Sequence, residues 1–156
     1  MPPIEWKPEY SIGDPAVDQE HRELVDLVAT AAATIRDPRP GTDIERILGD
    51  LFCVVSARFA QEEERMREVH YDKLGAHKCE HERLLDALRD VMDAAYARPD
   101  DAAEELQRTF ADFFARHFRI HDARLYRRIG RMRADRARMP GPSASRAAAP
   151  GNRAPP

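Results

Sequence analysis

Apolar residues recur along the chain at intervals of three and four in four stretches, separated by short turn-forming segments. The first runs from about Asp18 to Arg36, with Leu24, Val28, Ala31 or Ala32, and Ile35 on one stripe, and stops at DPRPG. The second starts near Thr42 or Asp43 and carries Ile47, Leu51, Val55, Phe59, Glu62, Met66 and Val69 to about His70. Beyond YDKLG, the third passes through His77, His81, Leu84, Leu85, Leu88, Val91 and Met92 to about Ala97. RPDD then supplies a proline and an N-cap candidate. The fourth stretch runs from about Asp101 to Arg131 through Leu106, Phe110, Phe113, Phe114, His117, Leu125 and Ile129. No segment alternates with the period of two that marks a strand. Four helices joined by short turns become antiparallel neighbours. The pattern therefore predicts an all-α, up-down-up-down four-helix bundle over residues 18–131, preceded by an irregular arm over residues 1–17 that contains Trp6 and Tyr10.

At 156 residues the chain is long enough for one domain with a substantial core and too short for two ordinary ones. Its formal charge of −3 hides an asymmetry. From Arg131 onward six basic residues face a single acidic one, while the remainder holds nineteen basic against twenty-seven acidic residues. An acidic body disfavours nucleic acid as the partner of the folded part. The Pro-, Ala-, Gly- and Arg-rich stretch over 132–156 lacks the apolar residues of a core and is expected to be a disordered, solubilising tail. No apolar run reaches membrane-spanning length, and the N-terminus lacks the basic start and apolar stretch of a secretory leader, so a cytoplasmic location without membrane contact is expected. Cys53 and Cys79 form no Cys-x-x-Cys pair. Any metal is thus held by nitrogen and oxygen.

In an antiparallel bundle the start of helix one, the end of helix two, the start of helix three and the end of helix four share one end. His21, Glu62, His77 with His81, and His117 with Asp122 occupy those four places. At about 1.5 Å of rise per residue they fall within a slab on the order of 10–15 Å thick. His77 and His81, four apart, are offset by about 40° and reach one point on the axis. Burying Glu62 or Asp122 is costly unless each is paired or bound to a cation. Imidazole with carboxylate suits iron, manganese or zinc. No histidine has a glutamate three residues before it, and there is no His-Glu-x-x-His, P-loop or G-x-G-x-x-G, so ferritin-like, zinc-protease and nucleotide-binding readings lack support.

Over roughly Ile4 to Arg131 the sequence resembles the bacterial hemerythrins, through the Trp6 arm followed by YSIGDPAVDQEH, then RFAQEEERM, HKCEH and FFARHFRIHD, in that family's order and spacing. The resemblance implies a non-haem di-iron centre that binds O2 reversibly. Carried over, His77, His81 and His117 hold one iron, His21 holds the other, and Glu62 and Asp122 bridge them. It also places Leu24, Phe59, Phe114 and Phe118 around the O2 pocket, and Phe113 where the family usually has tryptophan. The family has a histidine four residues before the bridging glutamate, and here that position is Arg58. Arginine cannot ligate. Six of seven protein ligands therefore remain. The expectation is a centre that binds its second iron weakly or not at all, with the Arg58 guanidinium replacing that charge by pairing with Glu62 or Asp122. In the competing reading Arg58 swings outward and both irons bind.

Among the other candidates, His121 reads either as a substitute ligand or as an exposed or supporting residue, and His70 as a dipole partner at a helix C-terminus. Cys79 points about 200° away from His77. Glu63 and Glu64 belong to a solvated face, and Asp18 is an N-cap or a supporting partner of a ligand histidine. The leading functional expectation is a non-haem iron protein that binds O2 as carrier, store or sensor and is not a turnover enzyme. A carrier that holds O2 as bound peroxide needs two ferrous ions, because that reduction takes two electrons and each ion supplies one. With one iron, a redox or sensor protein reacting with peroxide or nitric oxide is the alternative. The third reading, a metal-poor helical interaction module, predicts a melting temperature indifferent to chelators.

Overall fold

A computed structural model of the chain describes residues 2–139. A single 3-10 turn, Pro8–Tyr10, precedes five helices: α1 (Pro15–Arg36), α2 (Ile44–Glu68), α3 (Leu74–Ala97), α4 (Pro99–His117) and α5 (Ala123–Arg138). Between α4 and α5 lies a five-residue π turn, Phe118–Asp122, so the two helices continue one rod that forms the fourth member of a bundle. No strand occurs among the described residues. α1 packs on α2 and α4, and α3 on α2 and α4, which is the ring of antiparallel neighbours that the short connections require.

The helix starts follow from local chemistry. Asp14, not Asp18, is the N-cap of α1: its carboxylate accepts from the Ala16 and Val17 N–H groups at 3.0 and 3.3 Å, and Pro15 at the first helical position has no N–H to satisfy. The helix therefore begins three residues earlier than its apolar spacing predicts. Asp18 instead ties the arm down, accepting from the Ser11 hydroxyl at 2.5 Å and the Ile12 N–H at 2.8 Å. Asp43 caps α2 through the Arg46 N–H. At the other end of α2 the chain turns on His70, which takes φ 47°, while Tyr71 N–H reaches Met66 C=O and His70 N–H reaches Arg67 C=O. This is a Schellman stop with histidine where glycine is usual. Tyr71 packs back on Met66 within a small cluster with Leu125 and Ile129. Exposed His70 thus terminates the helix by conformation.

Leu48, Val25, Val28, Leu88, Leu106, Phe110 and Phe114 are fully enclosed in the main core, which fills the bundle between its two ends. The arm joins that core through Ile4 and Tyr10, and the Ile4 N–H donates to buried Gln107 Oε1 at 2.9 Å. At its far end the fourth rod continues as helix to Arg138, correcting the expectation of a disordered tail from residue 132 onward; the remainder of that tail, 140–156, lies outside the described residues. α5 carries seven arginines, all exposed, and is held to the bundle by Leu125 and Ile129.

Candidate metal centre

Four rods deliver the predicted donors to one buried layer. His21 comes from the second turn of α1, Glu62 from the penultimate turns of α2, His77 and His81 from the first two turns of α3, and His117 and Asp122 from the two ends of the π turn. All six are buried, with His77 and His81 at 1% exposure and Glu62, the most open, at 9%.

The π turn chooses the last donor. At about 100° per residue, an uninterrupted α-helix would set His121 about 40° from His117 and Asp122 about 140° away, facing elsewhere. The Ala123 N–H instead bonds to Phe118 C=O, five residues back, and this one wide turn brings Asp122 over His117. His121 is left half-buried, stacked on the outer face of His117 with ring centroids 5.2 Å apart, and outside the cluster.

The donor atoms crowd together. His77 Nε2, His117 Nε2 and Asp122 Oδ1 are mutually 3.0 Å apart, while Glu62 Oε2 lies 3.4 Å from His77 Nε2 and 3.2 Å from His81 Nε2. Glu62, His77, His81 and His117 each offer a ligand atom within 4.8 Å of all the others. Bonds of about 2.1 Å to one ion place neighbouring ligand atoms about 3.0 Å apart in an octahedron and about 3.4 Å apart in a tetrahedron. The pairs at 3.0–3.4 Å have that spacing. His77 Nε2 and His117 Nε2 hydrogen-bond to each other, but His81 Nε2 and Asp122 Oδ1 are buried without a hydrogen bond despite these neighbours, as fits atoms that face a common centre. The residues fit a divalent cation bound by nitrogen and oxygen.

Charge is distributed accordingly. Burial would push the Asp122 carboxyl up, but His117, His21 and His77 hold it well below the usual carboxylate range. Glu62 is opposed by burial and by Asp122, yet His77 and His81 keep it low. Burial alone would lower His77, whereas Asp122 and Glu62 raise it to about 9. Burial keeps His117 below its ordinary value. Without an ion, one proton on His77 therefore does part of the work of a cation.

Aromatic rings fix the imidazoles. Phe59 stacks on His81 at 3.8 Å, Phe118 on His21 at 3.8 Å and Phe113 on His117 at 4.3 Å. Of the four expected pocket residues, Leu24, Phe59 and Phe118 line a cavity of about 420 Å³ that also reaches Glu62, His117 and Asp122. Phe114 does not line it. It packs one layer behind, on Phe118 and Phe110, and the ring against His117 belongs to Phe113. Spacing held the signal, since 113 to 117 and 114 to 118 are both i, i+4 pairs.

Arg58 also lines the cavity, but its guanidinium does not pair with Glu62 or Asp122 as expected. It turns to α1, donating to the Glu20 C=O at 3.0 Å and lying 3.4 Å from Glu23 Oε2. Asp122 and Glu62 are already matched by histidines, and exposed Glu23 offers a partner with less desolvation. Glu63 is a second correction: it is buried, not solvated, with Oε1 3.2 Å from His81 Nδ1, while Oε2 faces Arg67 and Lys78. A carboxylate there sets the tautomer that frees His81 Nε2 for a metal. Glu64 stays exposed beside Arg67, and Cys53 and Cys79 are exposed and free. Sequence reasoning also missed Tyr126, whose hydroxyl accepts from Arg65 at 2.7 Å on the cavity wall; burial and the Glu62 carboxylate keep its phenol protonated. No motif marks either contact, since each joins residues on different helices.

A family model described as Hemerythrin HHE cation binding domain matches residues 13–129. A bacteriohemerythrin of Stenotrophomonas maltophilia is 24% identical over 75% of this chain and 75% of its own length. Another from Campylobacter jejuni is 21% identical over 74% of this chain and 86% of its own, and one from Clostridium acetobutylicum is 25% identical over 51% and 64%. No solved structure matches the chain.

Proposed function

Because the chain belongs to the hemerythrin family of cation-binding domains, we propose that it is a non-haem iron protein that binds O2, or a similarly small ligand, as a carrier, store or sensor and turns over no substrate. The observation that carries this reading is the shared focus of Glu62, His77, His81 and His117 at ligand-to-ligand spacing, with Asp122 3.0 Å from His77 and His117, beside a cavity walled by Leu24, Phe59 and Phe118. Iron bound there supplies a redox-active coordination site. The protein's own contribution is positional: Phe113, Phe59 and Glu63 hold the imidazoles, and the apolar rings exclude water and protons from whatever binds. The free cysteines suit a reducing cytoplasm, and no helix among the described residues is long and apolar enough to cross a membrane.

Rapid mixing of the ferrous protein with O2 tests the reading. A stable oxygenated spectrum that reverses under vacuum supports it. Irreversible oxidation with consumption of added peroxide favours a second reading, a redox or sensing centre for peroxide or nitric oxide. The cationic Arg58 on the cavity wall speaks for that alternative.

A further inference from the structure

The two oxygens of Asp122 divide the centre into unequal halves. On the Oδ1 side stand His77 and His117, each at 3.0 Å, with His81 joined through Glu62 Oε2 at 3.2 Å. On the Oδ2 side His21 Nε2, at 3.1 Å, is the one ring nitrogen among the described residues. The carboxylates next to that half are already engaged. Glu20 is held by Arg65 at 3.3 Å and Glu23 by Arg58, while Arg58 is anchored a second time on the Glu20 carbonyl. A guanidinium has no lone pair to give and keeps its charge at every accessible pH. Where a second cation would need a donor, the wall presents a fixed positive charge.

Resting on the iron-centre reading above, we propose that this chain holds one metal ion, on Glu62, His77, His81 and His117 with Asp122 beside them, and that the Arg58–Glu23 clasp between α2 and α1 keeps the His21 half free of metal. His21 is then a positioning residue. Its Nε2 lies 3.1 Å from Asp122 Oδ2, and its ring is clamped by Phe118, which together aim Oδ1 at the three-histidine half. A lone ferrous ion has a single electron to give on becoming ferric. Within the reading above, such a centre favours the sensing role.

The test is iron stoichiometry of the full chain after anaerobic loading with ferrous iron and desalting, followed by electron paramagnetic resonance of the air-oxidised sample. The wild type is expected to hold one iron per chain with the signal of an isolated high-spin ferric ion. Arg58→His, which puts an imidazole one turn before Glu62, is expected to take up a second iron and lose that signal through exchange coupling. Two irons per wild-type chain, or a coupled, silent ferric state, would overturn the proposal while leaving the iron-centre reading intact. A folded Arg58→His protein that still takes one iron would overturn the role given to the clasp. No bound iron in the wild type would overturn the iron-centre reading itself, and the two failures are therefore distinguishable. If Arg58→His does not fold, as judged by circular dichroism, the wild-type count and signal decide alone.

Discussion

Glu63 offers the sharpest check on how the centre is built, because it is not a proposed ligand yet sits directly behind one, His81. Its Oε1 is 3.2 Å from His81 Nδ1, and Arg67 and Lys78 hold its other oxygen at 3.6 and 3.9 Å. The carboxylate keeps the proton on Nδ1, leaves Nε2 as the donor, and raises the basicity of the ring. Removing such a partner weakens metal binding by about 10- to 100-fold, equivalent to about 1.4–2.8 kcal/mol. Glu63→Gln retains an acceptor oxygen but not the charge, so its loss belongs near tenfold. Glu63→Ala also lets the ring turn and leaves a buried Nδ1–H unpaired, which moves the loss toward a hundredfold. Competition of the protein against a chelator of known affinity, using ferrous iron or cobalt under anaerobic conditions, measures both variants. Affinities within twofold of the wild type for both would show that His81 is oriented by Phe59 stacking alone and that the hydrogen bond behind it is incidental. A larger effect in Glu63→Gln than in Glu63→Ala would refute the charge-and-tautomer reasoning outright.

Three further outcomes follow from the same geometry. His70→Gly relieves a left-handed backbone that costs about 1–2 kcal/mol for a side chain, offset by about 0.5–1 kcal/mol of glycine entropy, so the melting temperature should rise by about 1–4 °C, and a fall would show that the His70 ring makes a stabilising contact. Asp18→Ala removes the bonds to Ser11 and Ile12 and should cost about 1–3 kcal/mol while altering the emission of Trp6, the sole tryptophan, which packs edge-on against Tyr10 and under Arg22; unchanged melting and emission would mean the arm is held by Ile4 and Tyr10 alone. In the metal-free chain His77 titrates at about 9 instead of 6.5, so the stability its charged form contributes is complete below about pH 6.5 and is lost as pH rises through 9; thermal melts of chelator-treated protein that gain stability across that window would contradict it.

The fold and the layer of candidate ligands are legible in the sequence. Stripes at three and four placed Leu51, Val55, Leu88 and Phe110 inward, and a periodic apolar face forces a helix to bury that face against others whatever the details. Counting rise per residue was enough to bring His21, Glu62, His77, His81 and His117 to one level. Helix ends were less legible. Asp14 and Asp18 are both good caps, and the choice between them depends on Ser11 and Ile12 lying where Asp18 can bind them.

What composition, spacing and helical periodicity determined is a four-rod bundle with a layer of imidazoles and carboxylates at one end, because burial of apolar stripes and rise along a helix are local, additive properties of the chain. What only the tertiary structure decided is which of those groups meet. The exchange of His121 for Asp122 depends on one five-residue turn, the pairing of Glu63 with His81 on how α2 rotates against α3, and the turn of Arg58 toward Glu23 on the desolvation each carboxylate would suffer. These are energies of contact between distant residues. A few tens of degrees of helix rotation, invisible in the order of amino acids, set every one of them.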